Sequence, residues 1–191
     1  MRWWFLVAAA VALFGCAHSV APTQRETRSC ALTLPQKLAN ASLSFGDFDQ
    51  SNDHPATAAS LSARGCHAAA AEAGQDYLAR RNDLPERLRT SVLFHVARNL
   101  AMAGRNDEAA TAALGAVRDD GGSDPAFDWN AYVLGTWAFL KRDRALLEAK
   151  LVRLRSLQGH ANVTNARVLD GLARCFSKPY AEAATPACQR P

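Results

Sequence analysis

The chain has 191 residues, of which 49% are hydrophobic and 21% charged, a composition that is typical of a globular protein and argues against a disordered one. Its formal net charge of +4 is small and is spread along the chain, whereas binding to nucleic acid needs a concentrated basic patch. We therefore expect no nucleic-acid partner.

The first element in chain order indicates export. Met1 and Arg2 provide a positive charge, and residues 3–14 form an uninterrupted apolar run. Such a run is too short to cross a bilayer, which needs about 20 residues, but it suits the apolar core of a signal peptide. We predict that residues 1–15 are a signal peptide and that the polar residues 16–29 are a tether.

The end of this run, Leu13-Phe14-Gly15-Cys16, resembles the lipobox of bacterial lipoproteins. Phe14 departs from the small or β-branched residue that is usual before the glycine. The resemblance implies that Cys16 is lipidated and becomes the first residue of a membrane-anchored protein. Ala17 stands where an aspartate would imply retention in the inner membrane, so we expect an outer-membrane anchor facing the periplasm. The alternative is an ordinary signal peptide that is cleaved after Ala17.

Four further cysteines, Cys30, Cys66, Cys175 and Cys188, remain after processing. An even number suits an oxidising compartment, and no pair has the spacing of a CxxC redox site or of a zinc site. We expect no metal and no cofactor. Three pairings are possible, and we favour Cys30–Cys66 and Cys175–Cys188 because each joins elements that are close in sequence. Each closure is worth roughly 3 to 4 kcal/mol in the chain-entropy model.

Helix signals recur along residues 30–178, and no alternating strand pattern of useful length occurs. We predict an all-α domain over this range, followed by a C-terminal tail, residues 179–191, that is pinned by its disulfide. A capping box at Thr33–Gln36 opens the first helix, which we expect to end near Phe45 before a loop over residues 46–53. Further helices are expected to begin near Pro55, Cys66, Asp83, Asn106, Asp124, Asp143 and Asn162.

The segment from Leu93 to Val117 resembles one tetratricopeptide repeat. Residues of the expected size stand at the packing positions, with a glycine at the turn: Leu93, Val96, Ala97, Leu100, Gly104, Ala109, Ala113 and Ala116. A weaker copy, shifted by 38 residues, departs from the pattern at Ala138, Arg142 and Leu147, and a remnant surrounds Gly65. The resemblance implies a short right-handed solenoid of antiparallel helix pairs with disulfide staples at its ends. An unrelated helical bundle is the alternative.

In that family the first helix of each pair lines a groove that holds extended peptides. The resemblance implies a partner-binding groove formed by Phe94, Arg98, Met102, Trp129 and Tyr132, flanked by Ser91, Thr136 and Phe139. Such a set suits a peptide with apolar side chains and a carboxylate. The alternative is that the aromatic residues belong to the core and that Arg98 is a solvated charge. We expect a membrane-tethered, periplasmic, non-enzymatic module that binds a protein or peptide.

A second hypothesis is a cell-envelope enzyme, such as a cell-wall hydrolase. His95 shares a helix face with Ser91 and Arg98, but no acid on the same turn would orient its imidazole, so the sequence identifies no catalytic residues. A lipoprotein with a purely structural role is a third possibility. A variant at His95 would separate the enzyme from the binding module.

Overall fold

The computed structural model describes residues 30–121, 123–124 and 126–189. The predicted signal peptide, the tether and Cys16 lie outside the described residues. The helices are α1 (Leu34–Ala41), α2 (Ala58–Ala63), α3 (His67–Arg80), α4 (Glu86–Met102), α5 (Asn106–Gly115), α6 (Trp129–Leu140), α7 (Arg144–Arg155), α8 (His160–Arg174), α9 (Tyr180–Ala183) and α10 (Pro186–Gln189). A single π-helical turn (Gly46–Gln50, the π-turn) follows α1, and the short strands β1 (Ser123–Asp124) and β2 (Phe127–Asp128) pair antiparallel before α6. The part of the chain that the structure describes is therefore mostly helical, as the all-α prediction expects, with one short two-stranded ladder in addition.

Side-chain caps determine where several helices begin, because they satisfy the free backbone N–H groups of a first turn. Thr33 accepts the N–H of Gln36, and the Gln36 side chain accepts the N–H of Thr33, which confirms the predicted capping box. Asp143 caps α7 as predicted. The cap of α6 is instead Asp128, and the prediction of a helix start at Asp124 is wrong because that residue lies in β1.

The segment expected to be a loop over residues 46–53 contains the π-turn, and α1 ends at Ala41, well before Phe45. Phe48 explains this difference. Its side chain is fully buried and stacks on the ring of Tyr77 in α3, with the ring centroids 3.9 Å apart. Burial of this one large apolar residue holds an otherwise polar segment against the helices.

Three helix pairs, α2–α3, α4–α5 and α6–α7, share one turn geometry. Gly65, Gly104 and Arg142 stand at the turns with φ of 77°, 79° and 60°. At each turn the next backbone N–H donates to the carbonyl five residues back, as from Arg105 to Leu100 at 2.9 Å. This is the glycine-favoured helix ending, and it reverses the chain within three residues. The two helices of each pair also pack against each other.

Arg142 adopts a left-handed conformation that a side chain disfavours. Its guanidinium donates hydrogen bonds to the carbonyl groups of Phe176 and Lys178 and lies 5.1 Å from the ring centroid of Phe139. These contacts join the α6–α7 turn to the end of α8. They offset the conformational cost and explain how an arginine replaces the expected glycine.

Small residues let neighbouring helices approach closely. A Cβ at Gly135 in α6 would lie 2.4 Å from Cδ1 of Leu169 in α8, and a Cβ at Gly74 in α3 would lie 2.5 Å from Cγ2 of Val96 in α4. The main core is formed chiefly by residues of the helices from α4 through α9. A smaller cluster around Phe48 is formed by the π-turn, α2, α3 and α4. Helix α4 contributes to both clusters and joins them.

The two predicted disulfides are present in the structure. Cys30 pairs with Cys66 and Cys175 pairs with Cys188, with Cα–Cα distances of 5.5 and 6.0 Å. The first bond holds the start of the described chain against α3, and the second holds α10 against the end of α8. The segment expected to be a tail is helical, since α9 and α10 lie within it and Tyr180 is buried in the main core.

Within residues 30–121, 123–124 and 126–189, no helix has the length and apolar character required to cross a membrane.

Candidate ligand-binding pocket

A pocket of about 460 Å³ opens between the π-turn, α2, α3, α4 and α9. Pockets of this size are typical of ligand sites. Its polar lining consists mainly of Asp49, His67, His95, Arg98, Asn99 and Tyr180, and its apolar lining consists of Met102 and several alanines. Polar groups that converge on one pocket can fix the orientation of a ligand.

Helical spacing on α4 brings the central side chains together. Arg98, Asn99 and Met102 follow His95 by three, four and seven residues, so all four side chains share one face of α4. Elements distant in sequence complete the site, because the π-turn supplies Asp49, α3 supplies His67 and α9 supplies Tyr180. The smaller apolar cluster around Phe48 therefore positions one wall of the pocket.

A buried carboxylate orients His95. Oδ2 of Asp49 lies 2.7 Å from Nδ1 of His95, and the side chains are 2% and 32% exposed respectively. Gln50 Nε2 also donates to Oδ2 of Asp49. An ionised carboxylate accepts hydrogen bonds only, so Nδ1 carries the proton and Nε2 of the neutral imidazole is an acceptor.

Asn99 orients the second histidine in the same way. Its Nδ2 donates to the carbonyl of His95 at 3.0 Å, which leaves its Oδ1 as the acceptor 3.0 Å from Nδ1 of His67. Nδ1 of His67 is therefore protonated, and its Nε2 is an acceptor when the ring is neutral. Both histidines of the pocket lining are thus held in the same tautomer by neighbouring side chains.

Arg98 is partly exposed on the pocket wall, and it forms no ion pair with any carboxylate in the part of the chain that the structure describes. Its Nε is buried without an acceptor among those residues, and the buried hydroxyl of Tyr180 lies close enough to interact with the guanidinium. Interaction with Tyr132, and next with Tyr180, raises the pKa of Arg98, while burial lowers it. Arg98 thus remains charged, although a charge that is partly removed from water is normally paired with an opposite one.

The aromatic residues predicted to line a groove are instead in the core. Phe94, Trp129 and Tyr132 are 1%, 6% and 5% exposed, and Thr136 and Phe139 are also buried. Phe94 contacts the other two rings edge-on, with centroid distances of 5.4 Å to Trp129 and 5.1 Å to Tyr132. The interpretation of these residues as an exposed groove is wrong, because α4 and α6 use these faces to pack the main core.

Arg98 and Met102, which were expected in the same groove, lie instead in the lining of this pocket, whereas Ser91 does not. Ser91 donates to the carbonyl of Arg87 at 2.8 Å and accepts a hydrogen bond from Arg118, so it is not paired with His95. The acid that orients His95 was missed, since Asp49 lies 46 residues away in sequence. No signal in the sequence connects the two.

In the described part of the chain, no group of three or more His, Cys, Asp or Glu residues is arranged to hold a metal ion. Comparison with models of protein families, with curated proteins and with solved structures finds no match to this chain.

Proposed function

We propose that this chain is a membrane-tethered, periplasmic helical-repeat module that binds a protein or peptide partner through the pocket around Arg98. The guanidinium of Arg98, which has no carboxylate partner among the described residues and whose Nε is buried without an acceptor, is the observation that carries the proposal. A partly buried charge without a counter-charge costs stability, so its retention beside an open pocket favours a role in binding over a role in folding.

Two features support the location. The disulfides Cys30–Cys66 and Cys175–Cys188 are typical of proteins that fold in an oxidising compartment such as the periplasm. The lipobox-like residues around Cys16 supply the proposed anchor. Replacement of Cys16 by serine should release the protein from membranes and abolish its labelling by palmitate. Membrane retention of the unlabelled Cys16→Ser protein would refute lipid anchoring.

The repeat architecture is supported by the shared turn geometry at Gly65, Gly104 and Arg142. These turns recur at spacings of 39 and 38 residues, which is near the period of tetratricopeptide-like helix pairs. We propose that the pairs α2–α3, α4–α5 and α6–α7 form a short right-handed solenoid. In this arrangement α8 to α10 cover the exposed end of the stack, as terminal repeats must.

Crosslinking in intact cells tests the binding function. A photoreactive residue at Ser62, which is partly exposed on the pocket wall, should yield a discrete crosslinked partner. Arg98→Met should remove this product, whereas Arg87→Met on the exposed side of the same helix should leave it intact. A product of equal yield in the Arg98→Met protein would contradict the proposal.

The Asp49–His95 pair favours one second candidate, a cell-envelope enzyme in which His95 acts as a general base on water. The hydroxyl of Ser91 is not available to it as a nucleophile. Digestion of purified cell-wall sacculi by the wild-type protein, and its loss in His95→Asn, would establish this function. An equal absence of digestion in both proteins would leave the binding module as the better account.

A further inference from the structure

We propose that the pocket recognises a carboxylate with an N–H or O–H donor beside it, carried by a ligand whose neighbouring side chain is small and apolar. The proposal rests on the proposed function, because it concerns the same pocket, and it defines the chemistry of the ligand. It follows from the unpaired arginine, the charge balance of the lining and the two fixed histidine tautomers.

Arg98 determines the first requirement. A guanidinium presents its donors in a planar fork that matches the two oxygens of a carboxylate or a phosphate. The Nε group has no acceptor in the part of the chain that the structure describes. An anionic group of the ligand would accept hydrogen bonds from these donors. Such hydrogen bonds are stronger in a partly water-excluded pocket than in bulk water.

The charge balance favours a carboxylate over a phosphate. The lining contains one carboxylate, Asp49, and one guanidinium, Arg98, and imidazoles in the neutral tautomers described above add no charge. A single negative charge therefore leaves one excess negative charge in the site, whereas a phosphate dianion would leave two. Because Asp49 is buried and hydrogen-bonded to His95, water screens its negative charge only weakly, and this charge repels a dianion strongly.

The histidines determine the second requirement. Asp49 and Asn99 fix His95 and His67 with Nδ1 protonated, so each neutral ring offers Nε2 as an acceptor. A group that approaches Arg98 with its carboxylate can then donate an adjacent N–H or O–H to an imidazole. The C-terminal residue of a peptide and a free amino or hydroxy acid both carry this combination.

The apolar lining sets the third requirement. Ala58, Ala59, Ala63, Ala184 and Met102 contribute short or flexible side chains to the wall. They give part of the wall a small apolar surface that a short apolar side chain can contact, although Gln50, Asn52 and Ser62 also line the pocket. A ligand that ends in alanine fits this chemistry.

Calorimetric titration of the purified full chain tests the inference with N-acetyl-alanyl-alanine. The free acid should bind, and its C-terminal amide should bind roughly tenfold or more weakly because the carboxylate is lost. A variant of the probe with the final amide nitrogen methylated should also bind more weakly, because the donor beside the carboxylate is lost. Inorganic phosphate should not compete.

Matched variants identify the site. Arg98→Met should weaken binding of the free acid roughly tenfold or more, and Arg98→Lys should retain a measurable part of it. Arg87→Met should bind as the wild type does. Circular dichroism and an urea transition on each variant establish that loss of binding is not loss of folding.

The outcomes separate the sources of the carboxylate. Binding of lactate as tight as that of the peptide supports a free small acid, and peptide binding alone supports a chain end. Equal binding of acid and amide, competition by phosphate, or no binding of any carboxylate would overturn the inference. If crosslinking from Ser62 still depended on Arg98 in that case, the proposed function would stand while the carboxylate assignment fell.

Discussion

Two arginines of this molecule lie beside the same aromatic cluster and differ in their partners. The cluster consists of Trp129, Phe94 and Tyr132, in which Phe94 contacts both other rings. Arg118 lies over Trp129, with Cζ 4.0 Å from the ring centroid, whereas Arg98 interacts with Tyr132 at the other side of the cluster. Both arginines therefore lie near one cluster, Arg118 against a ring face and Arg98 in the lining of the pocket.

Their hydrogen bonds differ. Arg118 donates to Oγ1 of Thr90 at 2.9 Å, to the carbonyl of Arg87 at 3.0 Å and to Oγ of Ser91 at 3.3 Å. Arg98 lacks an ion pair within the described residues, and its Nε is unsatisfied. Burial lowers the pKa of Arg118, although its donors are used within the fold. The comparison indicates that Arg118 stabilises the protein, while Arg98 is available to a ligand.

The largest expected effect comes from breaking the cluster that separates the two sites. Phe94→Ala should lower the free energy of unfolding by about 3 to 5 kcal/mol, because it opens a cavity between two buried rings. Phe94→Leu, which conserves most of the volume, should cost about 1.5 kcal/mol or less. Urea denaturation measures both. A Phe94→Ala protein as stable as the wild type would contradict the burial of Phe94 and support its place in the exposed groove that the sequence suggested.

A smaller loss is expected at Arg118. Arg118→Met removes three hydrogen bonds and the contact with Trp129, and should lower the free energy of unfolding by about 1 to 2 kcal/mol. The backbone at this position should not move, because Asn130 accepts the N–H of Arg118 and donates to its carbonyl. Arg87→Met, at an exposed residue, is the control and should be close to neutral. An Arg118→Met protein with an unchanged free energy of unfolding would contradict the stabilising role of Arg118 in this comparison.

Arg98→Met should act in the opposite direction. It replaces a partly buried cation that has no carboxylate partner among the described residues by an apolar side chain of similar length, so the free energy of unfolding should rise by about 1 kcal/mol. The same variant should lose ligand binding. Arg98 would then lower the stability of the protein while it contributes to ligand affinity. Chemical denaturation of the ligand-free protein provides the measurement. A clear destabilisation would show that Arg98 holds the fold together as Arg118 does.

The features that could be predicted from the sequence depend on short-range signals. The capping box at Thr33, the turn at Gly104 and the cap at Asp143 each use residues within one helical turn. The pairing of Cys175 with Cys188 was predictable for the same reason, since only 13 residues separate them. Such features need no knowledge of the tertiary structure.

The side of α4 that faces the pocket could not be predicted, because α4 is packed by α3, α5 and α9 and has more than one buried face. The resemblance to a tetratricopeptide repeat placed Phe94 and Arg98 on one partner-binding side, whereas the structure buries Phe94 in the core and leaves Arg98 in the pocket. The Asp49–His95 contact depends on the π-turn, which in turn depends on the burial of Phe48. Long-range packing of this kind leaves no local pattern.

The smallest expected effect concerns Tyr132, whose pKa depends on the charge of Arg98. Burial raises the pKa of Tyr132 above its ordinary value of 10.0, and Arg98 opposes part of that rise. The unfolded chain therefore loses this proton before the folded chain does. The stability that Tyr132 contributes is complete below pH 10.0 and is lost as the pH rises through its folded pKa.

Urea transitions followed from neutral pH to above pH 10.0 should show this decline, and Tyr132→Phe should make it shallower. Arg98→Met should delay phenolate formation at Tyr132, measured by ultraviolet absorbance of the folded protein, because the charge that lowers this pKa is gone. Arg118→Met should not delay it, since Arg118 lies beside Trp129. Equal phenolate titrations in the two variants would mean that the charge of Arg98 does not act on Tyr132. The unpaired guanidinium would then lie too far from the cluster for the two arginine sites to be compared.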